Sequence, residues 1–401
     1  MNTISNKLPI IVLKYGGSSI ATTDNLVAVA RQVIRCKASG EDPVVVVSAM
    51  GETTDHFLTM VDQITDHPGA RELDMLLSVG ERISIALLAM AINSEGPYEA
   101  VSLTGSQVGI ITDTNHTRAR IVEIRCARIH QVLEKGQIPI VAGFQGVSVE
   151  KEITTLGRGG SDTTAVALAA SLGAVQCRIL KDVDGVYTAD PREVPNARII
   201  NQVDYTEMLE FSATGSKVIA ADAVTLARQH NVDIGVGRTD TGAVGTIITS
   251  GDFTKGGVRG LNALRDLGAI KLGRQSDLSS SLSDLHAEGV IIRSLHSEST
   301  RPVILIDKKY VEPGGVYTDT LLSTEWGSRA YLYRRTFGRI SAIGSGLEPG
   351  GKYFARLQAI IEENKITPRW YCCSSVRVSF CIIDSRVNEL LYRLHHGLIE
   401  S

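Results

Sequence analysis

Short apolar runs separated by amphipathic stretches set the pattern of the first 250 residues. Ile10–Leu13, Val44–Val47, Ile138–Ala142 and Cys177–Leu180 read as buried strands, and Glu99–Leu103 and Val232–Val236 add two more. Behind Asp24, which the pattern predicts as a helix N-cap, Leu26, Val29, Ala30, Val33 and Ile34 recur at helical spacing. Leu73–Ala91 reads as helical with an interruption at Gly80-Glu81-Arg82, and Ala165–Leu172 as a helix capped by Ser161 or Asp162. Strands alternating with helices predict an α/β fold, with a doubly wound, mostly parallel sheet covered on both faces. Polar, glycine-containing loops follow the strands, at the carboxyl ends where such sheets bind ligands.

The pattern changes after Gly251, where Gly256-Gly257-Val258 reads as a linker. Short strands are predicted at Ala269–Leu272, Gly289–Leu295 and Val303–Lys308, with a helix over Ser279–Ala287. The order strand, helix, strand, strand, helix is clearer at Arg339–Ile343, Tyr353–Asn364, Thr367–Cys373, Val376–Ile382 and Arg386–Leu394. Two small α+β modules in tandem follow, giving divisions at 1–250, 258–335 and 336–401. Residues 312–335 resist assignment.

Composition narrows the class. The chain has 401 residues, 43% hydrophobic and 21% charged, with a net charge of −3. These are values of a soluble globular protein without the basic field that nucleic acid would need. No apolar run is long enough to span a bilayer, and Met1–Pro9 lacks a signal-peptide layout, so no membrane association and a cytoplasmic location are expected. The six cysteines form no C-x-x-C pair, so no metal site is expected, and Cys372-Cys373 reads as two small buried residues in a strand.

The candidate chemistry centres on Thr154–Thr164, which reads TTLGRGGSDTT. Its glycines permit close backbone approach, Arg158 offers a planar fork for a carboxylate or phosphate, and a helix N-terminus favours an anion. The chain lacks a Walker A sequence, a G-x-G-x-x-G after the first strand and a G-x-S-x-G elbow. What remains is Lys14, Glu81, Arg158, Asp162, Asp182 and Lys217 at or near element ends. Two lysines with glycine backbones suit a polyphosphate, since phosphoryl transfer rests on positioning and charge neutralisation.

The segments Lys14–Ser19 (KYGGSS), Val44–Asp55, Asp74–Ser84, Ser102–Gly109, Ile140–Gly146, Thr154–Ala170, Asp182–Arg192 and Glu207–Lys217 together resemble the aspartate kinases of the amino acid kinase superfamily. The resemblance implies an amino acid kinase-like three-layer sandwich followed by two ACT-like modules. It also implies transfer of the ATP γ-phosphoryl group to L-aspartate, the first step towards lysine, threonine and methionine, with Mg²⁺ carried by the nucleotide. By the same resemblance Lys14 and Lys217 neutralise the γ-phosphoryl group, and Gly16, Gly17 and Ser18 wrap the phosphates. Asp162 pairs with those lysines. Arg158 grips a substrate carboxylate, Glu81 takes the α-ammonium, and Ser48, Thr54 and Ser161 line the pocket. Asp182, Tyr187 and Arg192 border the nucleotide, and Lys181, next to Asp182 in the chain, is expected at the same edge although the resemblance does not supply it.

Two departures stand out. Lys181 occupies a position where relatives carry Thr or Ser, and Cys372–Ser375 replaces Ser-Thr-Ser-Glu in the second module. The modules imply an amino acid effector, whose identity these departures leave open. A specialised paralogue with altered regulation or a related amino acid substrate is the alternative, and a sensor without catalysis is disfavoured by the lysines. All six methionines lie at or before Met208, so a homo-oligomer of full-length chains is expected, dimeric through the ACT-like modules.

Overall fold

The computed structural model describes residues 8–251, 256–274, 277–288, 290–311, 330–333 and 335–400. The chain divides into two compact units. The first holds Met1–Val186, Ile199–Ser212 and Lys217–Asp252; the second holds Tyr187–Arg198, Ala213–Ser216 and Phe253–Ser401.

The first unit is built on an eight-stranded sheet. Its order is Gln202–Asp204, Val244–Thr249, Ile234–Arg238, Gln176–Lys181, Ile10–Tyr15, Asp42–Val47, Ile138–Ala142 and Ala100–Leu103. All neighbours pair in parallel except Ile234–Arg238 with Val244–Thr249, which pair antiparallel. The central strands are buried because helices cover them. Ile11, Leu13, Val45 and Val47 pack with Leu26, Val29, Val33, Ile85, Leu88 and Ile92 in one core. A second sheet of four short strands, Ile121–Ile124, Ile110–Thr112, Gln145–Ser148 and Ile153–Thr155, leads into the glycine turn. Periodicity did not reveal it, since three- and four-residue strands carry too few alternations.

Several local expectations are corrected. The helix Thr23–Ala38 is capped by Thr22, whose hydroxyl accepts from the Asn25 N–H, and Asp24 sits in the first turn. Gly80-Glu81-Arg82 does not interrupt a helix; the break is at Ser78, between Ala70–Leu77 and Val79–Glu95. The helix after the glycine turn begins at Gly160, with Gly159 as its N-cap and no side chain capping it. Ser161 and Asp162 are therefore inside the helix.

The second unit carries an antiparallel sheet. Its order is Ile292–Glu298, Arg301–Asp307, Gly257–Leu272, Phe337–Ser345, Arg377–Ile383 and Trp370–Cys373, with Ala330–Leu332 also on Gly257–Leu272. The expected linker Gly256-Gly257-Val258 runs into that 16-residue strand, which pairs with Arg301–Asp307 towards one end and with Phe337–Ser345 along most of its length. Alternation explains the double burial of Arg301–Asp307. Ile304 and Ile306 join a core with Leu285, while Val303 and Leu305 join Phe337 and Trp370 on the other face. A third core gathers Leu357, Ile360, Leu390, Leu391 and Leu394 with Leu261, Ala189 and Val194. Cys372 and Cys373 do lie in a strand, but both are exposed, because Trp370–Cys373 is an edge strand. Most of the unassigned stretch, residues 312–329, lies outside the described residues, as do Met1–Lys7 and Gly289.

Candidate active site

The parallel strands Ile10–Tyr15 and Gln176–Lys181 run side by side, with Tyr15 opposite Leu180. That register puts Lys14 and Lys181 at the carboxyl ends of neighbouring central strands, where doubly wound sheets bind ligands. The helix Gly160–Leu172 packs behind them and brings Asp162 from its first turn. Lys14 Nζ forms an ion pair with Asp162 Oδ1 at 2.7 Å, and Lys181 Nζ donates to Oδ2 at 3.2 Å. Lys14 and Asp162 are buried, and Lys181 is nearly so. Burial alone would raise the Asp162 carboxyl, but the charges of Lys14 and Lys181 outweigh it and hold the group at about 2. Burial and the neighbouring Lys14 lower the Lys181 ammonium, against the opposing pull of Asp162. The second lysine on Asp162 is thus Lys181, not Lys217 as expected. Lys217 is exposed and has no carboxylate partner among the described residues.

The turn after Lys14 begins with buried Gly16, followed by half-buried Gly17 and exposed Ser18. A Cβ on Gly16 would stand 3.8 Å from Lys14 Nζ and 4.0 Å from Lys181 Cγ, so the backbone there is bare between the two lysines. Gly17 packs against the Ala49 carbonyl, which a Cβ would approach to 2.7 Å. The neighbouring strand Asp42–Val47 ends at half-buried Ser48, and the Ala49 N–H donates to Glu81 Oε1 at 3.0 Å. Glu81 is buried, and its Oε2 has no hydrogen-bond partner among the described residues. Burial raises its carboxyl to about 7 despite the opposing backbone donors and Lys14. Ser161 is buried against Gly143, whose N–H donates to the Val47 carbonyl. Ser48, Glu81, Ser161, Asp162 and Lys14 therefore surround one group of strand ends.

Arg158 is exposed between Gly157 and Gly159, which have φ of +74° and +75°, and no side chain pairs with it among the described residues. Thr54 is half-buried in the first turn of Thr53–Asp62, and Asp182 is exposed. Tyr187 and Arg192 belong to the second unit, where Arg192 pairs with Asp190 at 2.6 Å.

Sequence reasoning missed Asp74. This fully buried carboxylate accepts from the Thr117 N–H, the Thr155 hydroxyl and His116 Nδ1, at 3.0, 2.5 and 2.7 Å. It anchors the strand Ile153–Thr155 just before the glycine turn. Buried Gln145 donates to the Ser78 carbonyl, tying the same sheet to the break before Glu81's helix. Both residues lie in the quoted segments, but nothing in their spacing distinguishes them from surface polar groups.

The sequence pattern of the amino acid kinase family matches residues 9–237. The aspartokinase of Mycolicibacterium smegmatis is 39% identical over 414 residues, covering 97% of this chain and 96% of that protein. The aspartokinase of Corynebacterium glutamicum is 38% identical over 415 residues with the same coverage. That of Geobacillus stearothermophilus is 52% identical, over 60% of this chain and 58% of its own. Among solved structures, E. coli aspartokinase III in complex with lysine and aspartate superposes with a TM-score of 0.79 at 21% identity, covering 97% of this chain and 99% of that one. The same enzyme with aspartate and ADP gives 0.76 at equal identity and coverage.

Proposed function

The chain belongs to the amino acid kinase family and, within it, to the aspartokinases, and on that footing we propose that it transfers the γ-phosphoryl group of ATP to the side-chain carboxylate of L-aspartate. The products are 4-phospho-L-aspartate and ADP. The observation that carries this reading is the shared Asp162 carboxylate, which holds two lysines at the ends of adjacent strands beside a bare glycine turn.

The chemistry asks little of the protein beyond charge and position. A carboxylate is already a competent nucleophile at neutral pH, so no general base is needed. The difficulty is bringing one anion onto another. Lys14 and the amides of the Gly16-Gly17 turn offset the charge of the phosphates, and the uncapped N-terminus of Gly160–Leu172 adds a favourable dipole. Glu81, with one buried oxygen unsatisfied, is suited to the substrate ammonium. Arg158, exposed between two glycines with positive φ, is suited to a substrate carboxylate. Ser48, Thr54 and Ser161 complete the amino acid side, and Asp182 and Lys217 the nucleotide side. Mg²⁺ enters as part of the nucleotide substrate.

The reading extends to regulation and setting. The antiparallel unit, as two ACT-like modules, takes an amino acid effector, and the enzyme is a cytoplasmic homo-oligomer. Six free thiols, three of them buried, suit a reducing compartment.

The test is acyl phosphate formation from ATP and L-aspartate, trapped as the hydroxamate, with and without lysine and threonine. Hydroxamate that depends on both substrates supports the reading. Its absence at every substrate concentration refutes it.

A further inference from the structure

Lys181 is the one member of the lysine–carboxylate cluster for which the resemblance supplies no role, since relatives carry a hydroxyl there. Three observations bear on it. First, its ammonium and that of Lys14 both pair with the one buried Asp162 carboxylate, with the exposed Asp182 as the further anion acting on Lys181. A structural ion pair needs one cation, and a second desolvated cation is unfavourable unless an anion arrives to meet it. Second, Gly16 lies against both lysines, where a Cβ would stand 3.8 Å from Lys14 Nζ and 4.0 Å from Lys181 Cγ, so bare backbone faces the pair. Third, the strand end is pinned: the Thr239 N–H donates to the Lys181 carbonyl at 2.8 Å, so the side chain is presented from a fixed backbone.

We propose that Lys181 is a catalytic residue of the phosphoryl transfer, its ammonium paired with that of Lys14 across Gly16 to hold the oxygens of the transferring phosphoryl group. This rests on the phosphotransferase reading above. In the step, a lone pair of the aspartate carboxylate oxygen forms the bond to the γ-phosphorus as the bond to the β–γ bridging oxygen breaks. The electron pair leaves on ADP. Lys181 donates hydrogen bonds throughout and transfers no proton. Asp162, Lys14 and Asp182 are the charged groups acting on it, and Asp162 keeps both ammonium groups oriented before the nucleotide binds.

Two measurements on full-length protein decide the matter. Calorimetric titration with tripolyphosphate should give binding about tenfold weaker in Lys181→Met than in the parent. Hydroxamate kinetics should give a kcat about 100-fold lower in Lys181→Met, with the aspartate KM within about threefold. Lys181→Arg should recover at least about a tenth of the parental kcat and move the alkaline limb of its pH profile upward, because arginine stays charged. Lys181→Thr, the residue type of relatives, serves if the Met variant does not fold, with the same losses expected. Unchanged tripolyphosphate binding, a kcat within about threefold of the parent, or equal losses in the Met and Arg variants would overturn the proposal. Should the parent itself form no hydroxamate, the phosphotransferase reading fails, and the tripolyphosphate titration still decides whether Lys181 is a phosphate ligand.

Discussion

Lys14 Nζ stands 2.7 Å from Asp162 Oδ1, and each side chain is only 5% exposed. The pair couples the second-layer helix to the central strand through charge, and Lys181 leans on the same carboxylate. Replacing Asp162 by Asn keeps the shape and removes the charge, leaving two ammonium groups buried together. Asp162→Asn should cost about 3–5 kcal/mol in denaturant unfolding. Tripolyphosphate should restore more stability to the variant than it adds to the parent. The folded carboxyl sits at about 2, below its unfolded value, so its contribution is present above roughly pH 4 and is lost as pH falls towards 2. The parent should show that acid loss and the Asn variant should not.

Glu81 has the opposite sign. Its folded carboxyl is raised to about 7, so between about pH 4.5 and 7 the folded protein keeps a proton that the unfolded chain has lost. Folding becomes less favourable as pH rises through that window, by roughly 3 kcal/mol at most. Glu81→Gln should therefore be more stable than the parent at pH 8, by denaturant unfolding, and much weaker for aspartate. In the parent the aspartate KM should fall as pH rises from 6 to 8, as the carboxylate needed by an ammonium forms, while the ATP KM stays flat. A variant no more stable at pH 8 would contradict this account.

Arg158→Ala removes an exposed side chain with no partner among the described residues, so stability should change by less than about 0.5 kcal/mol. The aspartate KM should rise at least about tenfold, with a much smaller effect on ATP. Equal effects on both substrates would mean that the arginine serves another ligand.

Two glycines with nearly equal φ separate backbone strain from packing. Gly136 has φ +73° and open space where a Cβ would go. Gly159 has φ +75°, and its Cβ would lie 2.3 Å from the Ala220 Cβ. Gly136→Ala should cost about 1 kcal/mol from conformation alone. Gly159→Ala should cost at least about 2 kcal/mol and depress kcat by displacing the start of the Asp162 helix. Thermal unfolding of the two variants side by side checks the difference.

The parallel sheet was legible because its central strands are continuous apolar runs, and the helices between them keep a clear period. The glycine turns announced the site for the same reason, since bare backbone at strand ends has few other uses. The partner of Asp162 was not legible. Lys181 ends an apolar run and Lys217 precedes one, and only the register of Gln176–Lys181 against Ile10–Tyr15 brings the first to the carboxylate. The Asp74 anchor was hidden likewise, because its partners come from segments more than 40 residues away. The 16-residue strand Gly257–Leu272 was read as a linker and a short strand because its start is glycine and its middle carries Asn262, Arg265 and Asp266.

The chain leaves the parallel-sheet unit after Val186, returns at Ile199, leaves again at Ala213 and returns at Lys217. The segment Tyr187–Arg198 lends Ala189 and Val194 to the core around Leu261, Leu357 and Leu391. No single cut can divide such a chain cleanly. A fragment ending near residue 250 would keep that excursion but strip away the side chains that bury it. Truncation near residue 250 would thus expose that excursion as well as remove the rest of the antiparallel unit. Under the effector reading proposed above, feedback-resistant forms should come from point substitutions in the antiparallel unit, and selection for them should recover missense changes in place of deletions.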